Sequence, residues 1–321
     1  MSRYQRQETL PLIGVAGQQK ISHATVALVG VGALGSVSAE LLARAGIGKL
    51  LLIDRDLVDV TNLTRQSLYA EEDVGTPKAF AAKKRIHALN SDVQVAAFFE
   101  DVTCDTITSL LTEAHIILDG TDNMDTRFLI NDYCLSTGKP WIAAGAITTK
   151  GYVLPITPGN PCFRCVFAEN YAGALETCDT AGVLNTITTT IAALQTTLCL
   201  KLILGHSILP QMTHINLWNG SYATLGITQR TDCPACHGNY EYITGKKGHD
   251  TIRICSTNTY LIRTPLINLH TLQHTLSTID TVTNHTYYLT FKTMTIFPNR
   301  ILIRAPNEQE AQKLFTTYIG H

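Results

Sequence analysis

An excess of either charge is missing from this chain. Its 25 Lys and Arg stand against 26 Asp and Glu in 321 residues, a formal net charge of −1 at pH 7. That balance removes the electrostatic reason to expect a nucleic acid or an anionic membrane surface as partner. No apolar run approaches the roughly 20 residues that a membrane span needs, so no membrane is expected either. The opening octet, MSRYQRQE, lacks the apolar core of a secretion signal. The 11 histidines show no metal-ligand spacing, and there is no internal repeat or low-complexity segment. Nine cysteines are an odd number for a disulfide framework, which points to a reducing cytoplasm and turns the question to metal binding. What the chain does have is 45% hydrophobic residues and enough length for one large α/β domain with a small second one.

Apolar strand candidates at 25–30, 49–53, 93–99, 115–119 and 140–144 alternate with helical stretches at 35–45, 77–89, 105–113 and 124–137. This rhythm predicts a Rossmann-like parallel sheet covered on both faces, with ligands at the carboxyl ends of its strands. Gly151–Ile156 and His214–Trp218 read as antiparallel strands extending it, and Val183–Leu204 as a long apolar helix. The boundary is placed at 244/245. Residues 1–244 form the nucleotide-binding domain, and 245–321 a small α+β domain: a strand at 251–262, a helix at Leu266–Leu276, strands at Tyr287–Ile296 and Arg300–Arg304, and a helix at Glu308–Tyr318.

The run Ala27–Gly35 places Gly30, Gly32 and Gly35 in a G-x-G-x-x-G turn between a strand and a helix, where backbone can approach phosphates. Asp54, nineteen residues on at a strand end, is placed for a ribose hydroxyl, with a turn-forming role as the plainer reading. Asp56 and Asp59 read as turn residues. Thr76 as N-cap and Pro77 at the first helical position put Lys78 in the first turn, where a cation opposes the helix dipole unless a phosphate faces it. Arg65 offers a planar fork to the same phosphates or is a solvated surface residue. Asp122 emerges after a buried strand, either as a magnesium ligand or as the N-cap of the next helix. Cys162-x-x-Cys165 and Cys233-x-x-Cys236 match a closed structural zinc site of four thiolates, with a redox dithiol as the alternative for one pair. Cys178 lies in a polar loop ahead of the long helix, where acyl or sulfur transfer is open to it. Cys104, Cys134, Cys199 and Cys255 read as small core residues.

Taken in order, Arg3-Tyr4-Gln5-Arg6-Gln7, the glycine turn, Asp54-x-Asp56, Asn62-x-x-Arg65-Gln66, Gly75-x-Pro77-Lys78, Thr121-Asp122-Asn123, both cysteine pairs and Cys178-x-x-Ala181-Gly182 resemble the ThiF/MoeB/HesA family. These are bacterial relatives of ubiquitin-activating enzymes that adenylate the sulfur carriers of thiamine and molybdopterin synthesis. The match spans about residues 3–240. The resemblance implies ATP and Mg2+ beside Zn2+, with Asn62, Arg65, Gln66, Lys78 and Asn123 at the nucleotide and Asp122 on magnesium. It implies a homodimer in which Arg6 crosses into the partner's ATP site. It implies as substrate a small ubiquitin-like carrier ending in Gly-Gly, with a cysteine desulfurase or other sulfur donor nearby. Cys178 aligns with a cysteine that in thiamine-type members can bond covalently to the carrier. Residues 245–321 fall outside the shared core and lack the cysteine loop of a rhodanese. The competing expectations are an NAD-dependent oxidoreductase, a non-catalytic scaffold, and activation of a peptide or a modified tRNA base.

Overall fold

The computed structural model describes residues 2–167, 181–248, 251–254 and 259–320. The chain divides into two compact units, Met1–Lys247 and Gly248–His321.

The first unit is built on an eight-stranded sheet. Its strands are β1 (Thr25–Val29), β2 (Lys49–Ile53), β3 (Gln94–Phe98), β4 (Ile116–Asp119), β5 (Trp141–Ile147), β6 (Lys150–Ile156), β7 (Gln211–Asn216) and β8 (Ser221–Gly226), in the order β3-β2-β1-β4-β5-β6-β7-β8. The first five are parallel and the last three antiparallel additions. Strand alternation splits the core in two. Val26, Leu28, Leu50 and Leu52 face one side, under α3 (Gly35–Ala45), α4 (Lys78–Leu89) and α8 (Asn185–Leu204). Ala27, Val29, Leu51 and Ile53 face the other, under α5 (Ile107–Leu111) and α6 (Met124–Thr137).

The alternating α/β layout and its antiparallel extension agree with the sequence reading. Four of this unit's helices and strands were not foreseen. Before β1 lie α1 (Gln5–Glu8) and α2 (Gly14–His23); α2 buries only Gly17, Gln18 and Ile21, so it carries almost no apolar stripe. The third is β8, whose six residues are all exposed and therefore show no alternation. The fourth is a short helix, α7 (Phe163–Val166), which follows β6. Helix α8 is long and apolar enough to cross a membrane by length and composition, contrary to the expectation that no segment would be. Ile187, Ile191, Ala192 and Cys199 on it are buried in the sheet-facing core.

The second unit has a six-stranded antiparallel sheet, ordered β11-β12-β13-β14-β10-β9. The expected strand at 251–262 is two strands, β9 (Thr251–Ile254) and β10 (Thr259–Arg263), paired antiparallel. The expected strand at 287–296 is a hairpin of β12 (Leu289–Phe291) and β13 (Met294–Phe297), flanked by β11 (Val282–Asn284) and β14 (Arg300–Arg304). Helices α9 (Leu269–Ser277) and α10 (Glu308–Tyr318) cover one face, with Leu276 and Ala311 packed on Ile296, Ile301 and Ile303.

Candidate functional site

The site begins where β1 and β4 end. Gly30 turns the chain with a φ of 86°, a left-handed value that favours glycine, and its N–H donates to the Ile53 carbonyl at 2.8 Å. A Cβ on Gly35 would lie 2.0 Å from the Gly30 carbonyl oxygen, so the start of α3 rests directly on the turn. Gly32 differs. The nearest atom to its hypothetical Cβ is Gln66 Nε2 at an ordinary contact distance of 3.7 Å, so a single amide borders the backbone there and leaves a phosphate room to approach.

Asp54 is buried at the end of β2 and accepts the Val31 N–H at 2.6 Å and the Asp56 N–H at 2.7 Å. Burial pushes its carboxyl above the ordinary range, against the pull of Lys78 and these two donors. Its observed partners thus belong to the glycine turn and to its own loop. Lys78 is buried too, and its Nζ donates to Asp56 Oδ2 at 3.1 Å. Burial opposes its charge, but Asp56 and Asp54 outweigh it and hold the ammonium above the ordinary lysine range. Asp56 is therefore more than a turn residue. Helix α4 starts one residue later than expected, with Pro77 in the cap position. The cause is a bridge between Leu57 and Pro77, supported by Val58 N–H to Thr76 O and Lys78 N–H to Asp56 O, which keeps the chain extended through Pro77.

Asp59 caps the 3₁₀ turn Val60–Thr64, as a turn residue should, and its N–H donates to Asn62 Oδ1 at 3.0 Å. Arg65 is half-buried and donates to the Thr61 carbonyl at 3.0 Å. Gln66 is buried with its side-chain oxygen lacking any hydrogen bond among the described residues, and its amide nitrogen lies next to Gly32. Across the crevice Asn123, not Asp122, caps α6 by accepting the Thr126 N–H at 2.8 Å. That leaves Asp122 exposed, without a hydrogen bond or ion pair among the described residues, and within electrostatic reach of Lys78, Arg55 and Arg127. Arg6 is exposed on α1 and lines a surface cavity with Arg3, Arg44, Thr196 and Leu200, apart from the glycine turn of its own chain. Cys178 lies outside the described residues.

The two cysteine knuckles meet. Cys162 Sγ is 3.8 Å from Cys165 and 3.5 Å from Cys233, Cys165 is 3.5 Å from Cys236, and all four sulfurs lie within 4.8 Å of one another. Zinc–sulfur bonds of about 2.3 Å in a tetrahedron require sulfurs about 3.8 Å apart, so this donor set fits zinc. Phe163, inside the first knuckle, packs on Trp141 and Phe128 at 5.5 and 5.7 Å between ring centroids. Burying such a ring contributes about 2–3 kcal/mol, which ties the knuckle to the sheet. Cys134 and Cys199 are buried as core residues, Cys104 is half-buried against the core, and Cys255 lies outside the described residues.

Sequence reasoning missed Arg127 and Gln195. A cation one turn past a helix cap and a lone amide in an apolar helix are their only signals, and both features also occur on ordinary surfaces.

A glycine turn at a strand end, a buried lysine at the head of a helix and a four-thiolate cluster that could hold zinc define an α/β protein with a candidate nucleotide site. The chain belongs to the ThiF family, whose model matches residues 4–235. It is 36% identical over 270 residues to the sulfur carrier protein ThiS adenylyltransferase of Bacillus subtilis strain 168, covering 82% of this chain and 80% of the relative. The corresponding protein of Escherichia coli K12 is 34% identical, over 74% of this chain and 95% of its own. The pig adenylyltransferase and sulfurtransferase MOCS3 is 36% identical, over 73% of this chain and 52% of its own. Among solved structures, E. coli MccB with MccA-N7isoASN superposes with a TM-score of 0.64 at 25% identity, covering 74% of this chain and 75% of that one.

Proposed function

We propose that this protein adenylates the C-terminal Gly-Gly carboxylate of a small ubiquitin-like sulfur-carrier protein with ATP, releasing pyrophosphate, in thiamine or molybdopterin synthesis. The observation that carries the reading is the buried, charged Lys78 within electrostatic reach of Asp54, which is bonded to the glycine turn, and of the unengaged Asp122. The names of the relatives support the carrier as substrate.

The carrier's carboxylate has an ordinary pKa of about 3.5 and is ionised at neutral pH, so no general base is needed. One of its oxygens attacks the α-phosphorus. The bond from that phosphorus to the β-phosphate bridging oxygen breaks, and pyrophosphate leaves with the electron pair. The barrier is anion meeting anion. Lys78 and Arg65 oppose it by concentrating positive charge where the transition state and leaving group are most negative. Asn62, Gln66 and Asn123 border the nucleotide, and Asp54 reaches its ribose. Asp122 would hold magnesium, which neutralises phosphate charge when bound; an exposed carboxylate with no hydrogen bond or ion pair among the described residues suits an oxygen-seeking cation. Arg6 would complete the site of a partner subunit in a homodimer. The four thiolates would hold zinc as a structural brace in a reducing cytoplasm. Cys178 would serve the later sulfur step, after the acyl-adenylate has formed. The named groups all lie in residues 1–244; residues 245–321 supply none of them.

The test is ATP–pyrophosphate exchange measured with each candidate Gly-Gly carrier. Lys78→Ala and Asp122→Ala should each lower exchange by about 10²–10³-fold with zinc retained. Near-normal exchange in both variants sinks the site assignment. Absence of exchange with every carrier sinks the function.

A further inference from the structure

Strands β4 and β5 pair at only two positions, Ile117 with Trp141 and Leu118 with Ile142. Beyond them, side chains from two helices meet the backbone groups that a longer ladder would use. Arg127 in the first turn of α6 donates through Nε to Asp119 Oδ2 at 2.9 Å, and through Nη2 to the carbonyls of Thr121 at 2.6 Å and Ala144 at 3.0 Å. The Asp119 carboxylate also accepts the Ala144 N–H at 3.3 Å and both the N–H and hydroxyl of Thr121, at 2.8 and 2.7 Å. From α8, the Gln195 amide donates to the carbonyls of Asp119 and Ile142, each at 2.8 Å, and its oxygen accepts the Ser38 hydroxyl of α3 at 3.0 Å. Asp119 and Gln195 have no exposed surface at all.

This knot is costly to build. A guanidinium at the N-terminal end of a helix opposes the dipole, and burial opposes its charge. Nothing in the fold of a parallel sheet calls for it, because two more ladder bonds would join β4 to β5 at lower cost. The residue it leads to is Asp122, the one carboxylate of the loop left unengaged among the described residues. The Ser38 link runs to α3, the helix that starts at the glycine turn. One hydrogen-bonded unit therefore spans both walls of the crevice.

We propose that Arg127 and Gln195 are positioning residues: acting through Asp119, they fix the 119–122 loop and so set where the Asp122 carboxylate stands relative to the glycine turn. The inference rests on the adenylation reading above. Neither residue touches ATP in this assignment. Supporting groups behind a metal-binding carboxylate typically govern metal affinity by about 10–100-fold, which gives the size of effect to look for.

Arg127→Lys keeps the charge but cannot reach the Asp119 carboxylate and two carbonyls at once. Gln195→Met removes the amide donors at similar volume, and carries the test alone if the arginine variant does not fold. Mn2+ serves as the probe, its binding followed by electron paramagnetic resonance in the presence of a non-hydrolysable ATP analogue. Each variant should bind Mn2+ about 10–100-fold more weakly than the parent, with zinc content unchanged. Pyrophosphate exchange should need correspondingly more divalent metal. In an Asp122→Asn background, adding either substitution should change Mn2+ affinity no further. An additive loss in the double variants, or unchanged Mn2+ affinity in both single ones, overturns the inference while leaving an active parent enzyme and its function intact. A parent protein that neither binds Mn2+ with the analogue nor exchanges pyrophosphate overturns the function on which it stands.

Discussion

Two buried ionisable residues show how neighbours decide charge. Lys78 keeps its proton despite burial because Asp56 and Asp54 face it, so it remains a cation throughout the working pH range. Asp132 on α6 goes the other way. It accepts the Tyr242 N–H at 2.9 Å and lies 3.8 Å from an Arg164 nitrogen, yet burial dominates and raises its carboxyl to about 6. A raised folded pKa means that the folded state binds the proton more tightly than the unfolded chain does. The group's contribution to stability is therefore complete below the ordinary aspartate range and declines as pH rises through about 6. The stability difference between the parent and Asp132→Asn should fall over that interval and flatten above it, as urea unfolding at several pH values would report. A flat difference throughout would show that the carboxylate is ionised in the fold at an ordinary pKa.

At the scale of elements, the glycine turn separates two jobs that one motif combines. Gly35→Ala drives a methyl group into the Gly30 carbonyl and should destabilise the fold by roughly 1–3 kcal/mol. Gly32→Ala meets only the Gln66 amide, at an ordinary contact distance, so its melting temperature should hold while ATP affinity falls. Thermal melting without nucleotide and calorimetric ATP titration distinguish the two; equal melting losses in both would deny the room at Gly32. The turn, β1 to β5 and the helices between them were legible because strands buried on both faces read as continuous apolar runs. β8 was not legible, since a strand exposed on both sides leaves no pattern. Lys78 could be placed at the front of α4 from Thr76 and Pro77, but its pairing with Asp56 could not, because the backbone bridge that delays the helix joins residues twenty apart. Asp122 stood open between two readings until Asn123 took the cap. The Arg127–Asp119–Gln195 knot is assembled from three elements, and no local spacing announces it.

For the whole molecule, the position of Arg6 makes a claim about assembly. It lines a cavity with residues of α3 and α8 and has no part in its own chain's glycine turn. If two chains share each site, Arg6→Ala and Lys78→Ala should be inactive separately but regain exchange when unfolded and refolded together. Each mixed dimer then holds one intact site, giving on the order of a quarter of the parent activity from random pairing. No recovery on mixing would place Arg6 in service of its own subunit. The cysteine cluster carries a different consequence, one of timing. Its two halves flank the final antiparallel strands, and two sulfurs are a poor cage for a metal. A chain still leaving the ribosome can close the tetrahedron only once Cys236 has emerged, so metal capture would mark the moment at which the large unit's sheet is complete.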